Sequence, residues 1–512
     1  MAVVVMLCSC GLLLPASGIA RISKWMAAGV AGVMVVQIYI GYMQLHASRV
    51  QQIPAMEALQ GTVRNSGIFN CLMVTMMPFT FLGLKGGETW PAWVRKAGFV
   101  LFLAISAAVI FGVIVSGSRT ALIAAGALLA AAVFLVWKRK LANSWKRIPV
   151  PGKLAVVVMG IVLSAAVGYF LFGMKKASAI GRVMKTEVAW GHVSDHFWTG
   201  TGLGRFSWYY PQWQSDFFRE RPDAPEAYRQ SAGESFLLFN EWLQWWLETG
   251  ALGGACLVII MILVFRARSL QYPHLMTAIK LTVFVILSCG FTTYVLHVNA
   301  ILLLLVFCCI VAFRLDERPW PAFLERVFVA GKKASGGWLT AVGALVVCVM
   351  MVRWWPAYRA AAQWRMLQVS GKAPAQSEYA QWYPVLKHNG KFLAAYAIQL
   401  AADDRHGDAL PLLNEARKTF ISRNVVEAMA NACEETGDYA CAEKNWRWLG
   451  YYLPGRLSPK GELMRLYLQT GDTAAAQRIA GEILQTPVKI PSAAALRIRR
   501  AARDLVHEKF NN

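Results

Sequence analysis

The sequence has 512 residues, of which 56% are hydrophobic and only 16% are charged, and its mean hydropathy is +0.41. A soluble domain of this length rarely has such a composition, so the leading class is a protein with many membrane spans. The formal net charge of +23 would suit a nucleic-acid-binding protein, but the basic residues lie in short loops between apolar runs. That pattern follows the positive-inside rule and excludes nucleic acid as the expected partner.

The first apolar run, MAVVVMLCSCGLLL (1–14), has no basic residue before it. We therefore expect a membrane span rather than a cleavable signal peptide, and the sequence leaves open whether a helix precedes it. Apolar runs of about 17 residues or more predict about ten membrane helices in all. They lie at roughly residues 2–20, 25–45, 67–84, 97–117, 120–137, 154–174, 250–265, 278–295, 299–314 and 337–355.

The charges of the short loops predict the orientation of these helices. The most basic loop, KRKLANSWKRIPVPGK (138–153), is expected on the cytoplasmic side. Alternation places four further basic loops on that side, at 21–24, 85–96, 266–280 and 314–333. The opposite face then receives the loop at 46–66, the SGSRT tip (116–120), the long segment 175–249 and everything after Trp355.

Polar residues recur at helical spacing in NEWLQWWLETGALGG (240–254). Asn240, Glu241, Gln244 and Glu248 would form one stripe along a helix, with tryptophans on the remaining surface. We expect a helix at the membrane interface whose carboxylates face a cavity. The alternative is an ordinary amphipathic interfacial helix. Arg119 also has two interpretations: its side chain either anchors the helix end at the membrane interface or belongs to a functional site.

Two further features of the long segment resemble binding motifs. Gly200, Gly202 and Gly204 in GTGLGRF (200–206) follow no predicted strand and lack the dinucleotide-binding spacing, so they predict a tight turn rather than a nucleotide site. His192 and His196 are four residues apart, as in a metal site on a helix. No third ligand is evident, so we expect no metal.

Four motifs in order, GTVRNSGIF (61–69), SGSRTAL (116–122), GTGLGRF and NEWLQWWLETGALGG, resemble the membrane O-antigen ligase/polymerase family, which includes bacterial protein O-oligosaccharyltransferases. The resemblance covers roughly residues 50 to 315. It implies an all-helical bundle of the lipid-dependent glycosyltransferase type in the bacterial cytoplasmic membrane. Such enzymes transfer a glycan from a polyprenyl diphosphate carrier to a lipid A core, a growing glycan or a protein, on the periplasmic side. No metal, nucleotide or other cofactor is implied.

The resemblance also implies roles for single residues. Arg119 and Arg182 would bind the diphosphate, because guanidinium groups pair with phosphate oxygens and stabilise a leaving group. Many ligases carry histidines just before the motif asparagine, where this chain has Leu237, Leu238 and Phe239. Glu241 is then the first choice for the general base, with Glu234 and His192 behind it. The substrate-binding candidates are Arg64, Asn65, Arg205, Asn240, Gln244, Glu248, Glu234 and His192, with helix capping as the alternative for Asn65.

After residue 355 the chain becomes polar, which predicts domains at 1–355 and 356–512. Gly437 and Gly471 are 34 residues apart and Pro454 and Pro487 are 33 apart, close to the tetratricopeptide period, and residues 396–416 resemble a degenerate third repeat. Such repeats commonly bind a peptide or a protein partner. Cys433 and Cys441 flank one predicted turn and are either a disulfide or two buried thiols.

Two other functions stay open at this level. A transporter of lipid-linked glycan would use the same polar residues, but it needs charged or broken elements at mid-bilayer. A non-catalytic glycan-assembly factor would use the repeats as its working part, and it would tolerate loss of Glu241. The sequence names neither the glycan nor the acceptor, and it does not separate block transfer from polymerisation.

Overall fold

The computed structural model describes residues 16–63, 65–85, 91–174, 176–318, 337–488 and 491–511. Over these residues the secondary structure is helical, with 21 α-helices, two short 3₁₀ turns and no strand. The protein is therefore all-α, as predicted from its apolar runs. The chain divides into two compact units.

Unit 1 comprises the described parts of residues 1–174, 239–242 and 254–351. Its helices are Ala16–Gln51, Ala55–Ala58, Ser66–Lys85, Ala92–Ser116, Arg119–Arg147, Val150–Met174, Pro273–Gly290 and Asn299–Leu315, together with parts of Glu241–Arg266 and Gly337–Val369. Large apolar side chains such as Met34, Phe79, Ile279 and Ile286 are fully buried where these helices pack.

Eight apolar helices of the described chain account for most of the predicted spans. Five are long and apolar enough to cross a membrane: Arg21–Gln51, Ala92–Ser116, Val150–Phe170, Glu241–Arg266 and Pro273–Gly290. Three are shorter: Ser66–Phe81, Arg119–Leu135 and Asn299–Leu315. Many of their outward side chains, including Leu163 and Phe170, are apolar and exposed. This is the surface that a helix presents to lipid.

Two predicted boundaries are wrong. The basic residues 21–24 lie inside the continuous helix Ala16–Gln51 rather than in a loop, and most of the predicted span 2–20 falls outside the described residues. The helix predicted at 278–295 ends at Gly290, and residues 291–298 form a loop with a 3₁₀ turn at Val295–His297. We call residues 291–298 the tie loop. Its threonines and aromatic residues are apolar enough to extend the hydropathy pattern but are weaker helix formers.

Unit 2 comprises the described parts of residues 175–238, 243–253 and 352–512. Its helices are Lys176–Trp190, Phe206–Glu220, Glu226–Ser231, Gln376–Leu386, Gly390–Ala402, His406–Thr419, Arg423–Glu435, Tyr439–Tyr452, Ser458–Gln469, Thr473–Gln485 and Ala493–Asn511. The long segment predicted to belong to the membrane domain therefore packs with the C-terminal helices. Gln214 Nε2 donates to the Tyr452 carbonyl at 2.7 Å, and Trp448 Nε1 donates to Gln212 Oε1 at 2.9 Å.

The C-terminal helices recur in pairs whose turns are built alike. Gly437 and Gly471 have φ angles of 78° and 81°, the left-handed conformation that ends a helix. Asp438 and Asp472, which follow them, each accept a backbone N–H three residues on and so cap the next helix. The structure thus repeats the pattern at the predicted interval, while the tetratricopeptide assignment stays a prediction. Cys433 and Cys441 form a disulfide across the first of these turns.

Candidate functional site

Arg119 lies in the first turn of a helix whose start is well defined. The preceding helix ends at Gly117, which has a left-handed φ of 53°, and the Ser118 side chain accepts the N–H of Ala121 at 3.3 Å. The SGSRT tip is therefore a tight turn between two apolar helices. Arg119 is half-buried there. The unpaired N–H groups and positive dipole end of a helix N-terminus favour an anion at such a place.

The tie loop contacts three of the four family-like motifs within unit 1. Thr292 Oγ1 donates to Thr120 Oγ1, next to Arg119, at 3.2 Å. Asn65 Nδ2 donates to the Tyr294 hydroxyl at 3.3 Å, while Asn65 Oδ1 caps the following helix by accepting the N–H of Ile68. For Asn65 the structure therefore combines capping with a contact to this cluster.

The third contact brings the start of the NEWLQWW motif to the same loop. Phe239 packs edge to face on Tyr294, with ring centroids 5.1 Å apart. Glu241 is only 4% exposed, and its Oε1 accepts the N–H of Leu296 at 2.7 Å. The same oxygen lies 3.2 Å from Nδ1 of His297, whose side chain is 32% exposed. The sequence analysis did not single out His297, because a lone histidine between two predicted spans matches no motif.

Within unit 2, the helix Glu241–Arg266 is interrupted at Gly250, whose φ and ψ of 64° and −169° are not helical. A break of this kind leaves backbone groups without helical partners. Residues 200–206, which we call the glycine turn, supply replacements. The carbonyls of Leu247 and Glu248 accept the N–H groups of Thr201 and Gly202 at 2.8 and 2.9 Å.

The backbone N–H groups after the break are paired as well. Ala251 N–H donates to the Phe197 carbonyl at 2.8 Å. This approach is so close that a Cβ on Gly250 would overlap the Trp198 carbonyl, and a Cβ on Gly200 would overlap the Glu248 carbonyl. The predicted turn at GTGLGRF is confirmed, and its first glycine lets two backbones pass in contact.

Glu248 fixes the other end of the glycine turn. This carboxylate is 4% exposed and accepts the N–H groups of Gly204 and Phe206 at 2.8 and 3.3 Å, together with Gln244 Nε2 at 3.1 Å. Gln244 Oε1 in turn accepts the N–H of Leu238. The expected stripe facing an open cavity is therefore corrected, because Glu241, Gln244 and Glu248 are all buried. A buried carboxylate needs such donors, and here the backbone provides them.

Arg182 and Lys185 lie three residues apart on the helix Lys176–Trp190, which places them on one face. Both are half-buried. Burial, with a further contribution from the positive charge of Arg182, lowers the pKa of Lys185 from 10.5 to about 8. Two neighbouring cations that are partly shielded from water favour an anionic ligand.

The remaining sequence candidates have varied surroundings. Arg205 is exposed over the Trp208 ring, and Glu234 accepts the N–H of Arg423 at 2.7 Å. His192 pairs with Asp195 at 2.7 Å and stacks on Trp213. Asn240 is half-buried, and Arg64 lies outside the described residues. In the described chain no three His, Cys, Asp or Glu side chains are grouped so that they could hold a metal ion.

Unit 2 also contains a groove of about 530 Å³ between the long segment and the repeat helices. Its lining combines aromatic rings, including Trp446 and Tyr451, with the cations Arg219, Arg447 and Lys460. Aromatic and guanidinium groups together are typical of surfaces that bind other proteins.

Comparison with known proteins gives one family. Residues 101–258 match the family described as O-antigen ligase. Neither the curated proteins nor the solved structures compared with the chain gave a match. The matched range contains Arg119, Arg182, the glycine turn and Glu241, whereas Asn65 and His297 lie outside it. Residues 101–258 of this multi-pass membrane protein are therefore similar to the O-antigen ligase domain.

Proposed function

We propose that the protein transfers a glycan from a polyprenyl diphosphate carrier to an acceptor hydroxyl at the outer face of the bacterial cytoplasmic membrane. One observation carries this proposal. The tie loop gathers the Arg119 turn, Asn65 and the start of the NEWLQWW motif at helix ends of a chain with an O-antigen ligase domain. Polar groups in a membrane protein are costly, and they gather where a polar substrate is handled.

Arg119 is suited to the leaving group of this reaction. Its guanidinium stands in the first turn of a helix, so both the side chain and the helix end favour the diphosphate. Charge on the diphosphate increases as the anomeric bond breaks, and fixed donors stabilise that change. In unit 2, Arg182 and Lys185 form a pair of cations, to which we assign binding of anionic groups of the substrate.

Two observations support the proposed membrane topology: the distribution of basic residues and the Cys433–Cys441 disulfide. Basic residues concentrate at 138–153, at the far end of the helix that begins with Arg119, which favours a cytoplasmic location for that end. Disulfides persist in oxidising compartments, so the Cys433–Cys441 bond supports a periplasmic location for the repeats. We assign the groove of unit 2 to an acceptor or a protein partner, because it offers aromatic rings and cations on a repeat array.

The test is complementation of a bacterial strain lacking this protein with wild type, Arg119→Ala or Arg119→Lys at matched membrane levels. Arg147→Ala is the control, since Arg147 lies at the basic end of the same helix. Lipid-linked donor, glycosylated lipopolysaccharide and glycoprotein are measured. We expect Arg119→Ala to reduce transfer about 10²–10³-fold, as for loss of one donor to a developing negative charge. Donor should then accumulate, and the product that disappears identifies the acceptor.

Transfer by Arg119→Ala at the level of Arg147→Ala would refute this role and favour a non-catalytic assembly factor. A transporter would give a different result, because donor would then accumulate on the cytoplasmic side of the membrane in the strain that lacks the protein. Accessibility of the accumulated donor to an impermeant lectin on spheroplasts separates these outcomes.

A further inference from the structure

We propose that His297 is the general base that deprotonates the acceptor hydroxyl, and that Glu241 positions it. This inference rests on the proposed glycan transfer and deepens it. Nothing in the O-antigen ligase match assigns the role, because the match ends at residue 258.

The geometry of the pair is that of an oriented imidazole. Glu241 Oε1 lies 3.2 Å from His297 Nδ1 and accepts the N–H of the neighbouring Leu296 at 2.7 Å. The end of the helix Pro273–Gly290 packs against the Glu241 side chain. A Cβ added to Gly290 would already be in van der Waals contact with the Glu241 Cβ, at 3.4 Å. The carboxylate is therefore held in place, and through two bonds it fixes both the tie loop and the ring.

A carboxylate that accepts from Nδ1 sets the tautomer of a histidine. Nδ1 then carries the proton, so Nε2 is the ring nitrogen that can take up a second one. The two side chains also differ in access. Glu241 is 4% exposed and its Oε1 is shared by two donors, whereas the His297 side chain is 32% exposed. Of the two groups, His297 is the one that an acceptor can reach.

Phe239 packs on the loop that carries His297. It lies two residues before Glu241 in the sequence. The Phe239 ring contacts Tyr294, which lies in the tie loop three residues before His297. Phe239 and Glu241 thus both contact the loop that carries His297.

The step balances as a substitution at the anomeric carbon. The acceptor oxygen forms the new glycosidic bond as its proton passes to Nε2 of His297. The anomeric carbon–oxygen bond breaks, and its electron pair leaves with the polyprenyl diphosphate. The imidazolium, stabilised by the Glu241 carboxylate, then releases its proton to water. A general base of this kind contributes about 10²–10⁴-fold to the rate.

The experiment uses the complemented strain, with His297→Ala, His297→Gln and Glu241→Gln at matched membrane levels. His274→Ala is the control, because His274 is an exposed histidine near the start of the helix that precedes the tie loop. We expect a loss of transfer of about 10²-fold or more for both His297 variants and wild-type transfer for the control. Imidazole added outside spheroplasts should restore His297→Ala by about tenfold and leave His297→Gln unchanged, since glutamine fills the site without offering a base. A purely structural histidine would show no such rescue.

A second variant moves the histidine from position 297 to position 239, on the other side of the contact with Tyr294. Phe239→His is combined with His297→Ala, and recovery of transfer above His297→Ala supports the assignment. Wild-type transfer by His297→Ala would overturn it, as would loss at normal membrane levels with neither imidazole rescue nor recovery in the double variant. If wild type itself restores no transfer, the proposed function fails instead, so the two failures are distinct.

Discussion

Replacing Glu248 with alanine removes a buried carboxylate that accepts from Gly204, Phe206 and Gln244 at 2.8, 3.3 and 3.1 Å. Hydrogen bonds to a charged group contribute about 1.5–3 kcal/mol each. Two of the three bonds are long, and neighbouring bonds do not add fully, so we expect the variant to lose about 3–4 kcal/mol in the stability of the glycine turn. The loss is local, because these bonds hold one turn against one helix break.

The readout is tryptic cleavage after Arg205, an exposed residue inside the glycine turn. A loss of about 3 kcal/mol raises the population of the open turn roughly a hundredfold, and slow proteolysis follows that population. We therefore expect cleavage of the purified full-length protein in detergent to accelerate by about that factor. Glu248→Gln should be intermediate, because its single amide oxygen can satisfy only one of the two backbone donors.

Glu220→Ala provides the matched control. Glu220 is exposed and pairs with Arg219 at 3.4 Å, an interaction worth at most about 1 kcal/mol. Its cleavage rate should stay within about fivefold of wild type. A Glu248→Ala protein that is cleaved no faster than this control would show that the carboxylate does not hold the turn, and would reopen a substrate-binding role for it.

Three further predictions concern unit 2. Gly250→Ala should sharply lower the yield of folded protein in detergent-solubilised membranes, because the new Cβ would overlap the Trp198 carbonyl. The φ of 64° at this position also costs a non-glycine residue about 1–3 kcal/mol. Lys185→Met should abolish a rise in thermal stability between pH 8 and 10.5. The pKa of Lys185 in the folded protein, about 8, lies below its ordinary value of 10.5. Below pH 8 the buried ammonium therefore destabilises the folded wild type by at most about 3 kcal/mol, and this destabilisation disappears as the pH rises from 8 to 10.5. Cys433→Ser should destabilise the repeats by about 2.5 kcal/mol in denaturant unfolding, since the disulfide closes a short loop.

Each of these three has a clear contrary result. Normal yields of Gly250→Ala would mean that the two backbones can separate at this point. A stability profile of Lys185→Met that keeps the alkaline rise would assign that rise to another group. Equal unfolding of Cys433→Ser and wild type, with free thiols detected in wild type by alkylation, would show that Cys433 and Cys441 do not pair.

Hydropathy predicted the apolar helices well, because each buries or exposes a continuous apolar surface and needs no distant partner. It even predicted a helix starting at residue 250, where the structure has a break at Gly250 inside a longer helix. The tie loop could not be predicted in the same way. Phe291 and Val295 extend the apolar run of the helix before them, and only the contacts of the tie loop with Thr120, Asn65 and Glu241 show that the chain has left the helix.

Motif spacing predicts that the polar residues of the NEWLQWW segment belong to a site. Spacing alone could not reveal that Gln244 and Glu248 form their hydrogen bonds within unit 2 and Glu241 within unit 1. The hydrogen-bond partners of Glu241 and Glu248 lie about 40 to 55 positions away from them in the sequence. His297 carried no signal at all, because a lone histidine between two apolar runs matches no motif.

The packing of residues 206–220 on the Tyr439–Tyr452 helix also has a consequence for the construction of chimeras. Gln214 donates to the Tyr452 carbonyl and Gln212 accepts from the Trp448 ring nitrogen, so the long segment and the repeats form one folded piece within unit 2. Fusion of a different repeat array at residue 355 would remove the hydrogen-bond partners of Gln212 and Gln214. Chimeras meant to redirect acceptor choice should therefore exchange residues 176–238 together with 352–511, and specificity should follow the pair rather than either part.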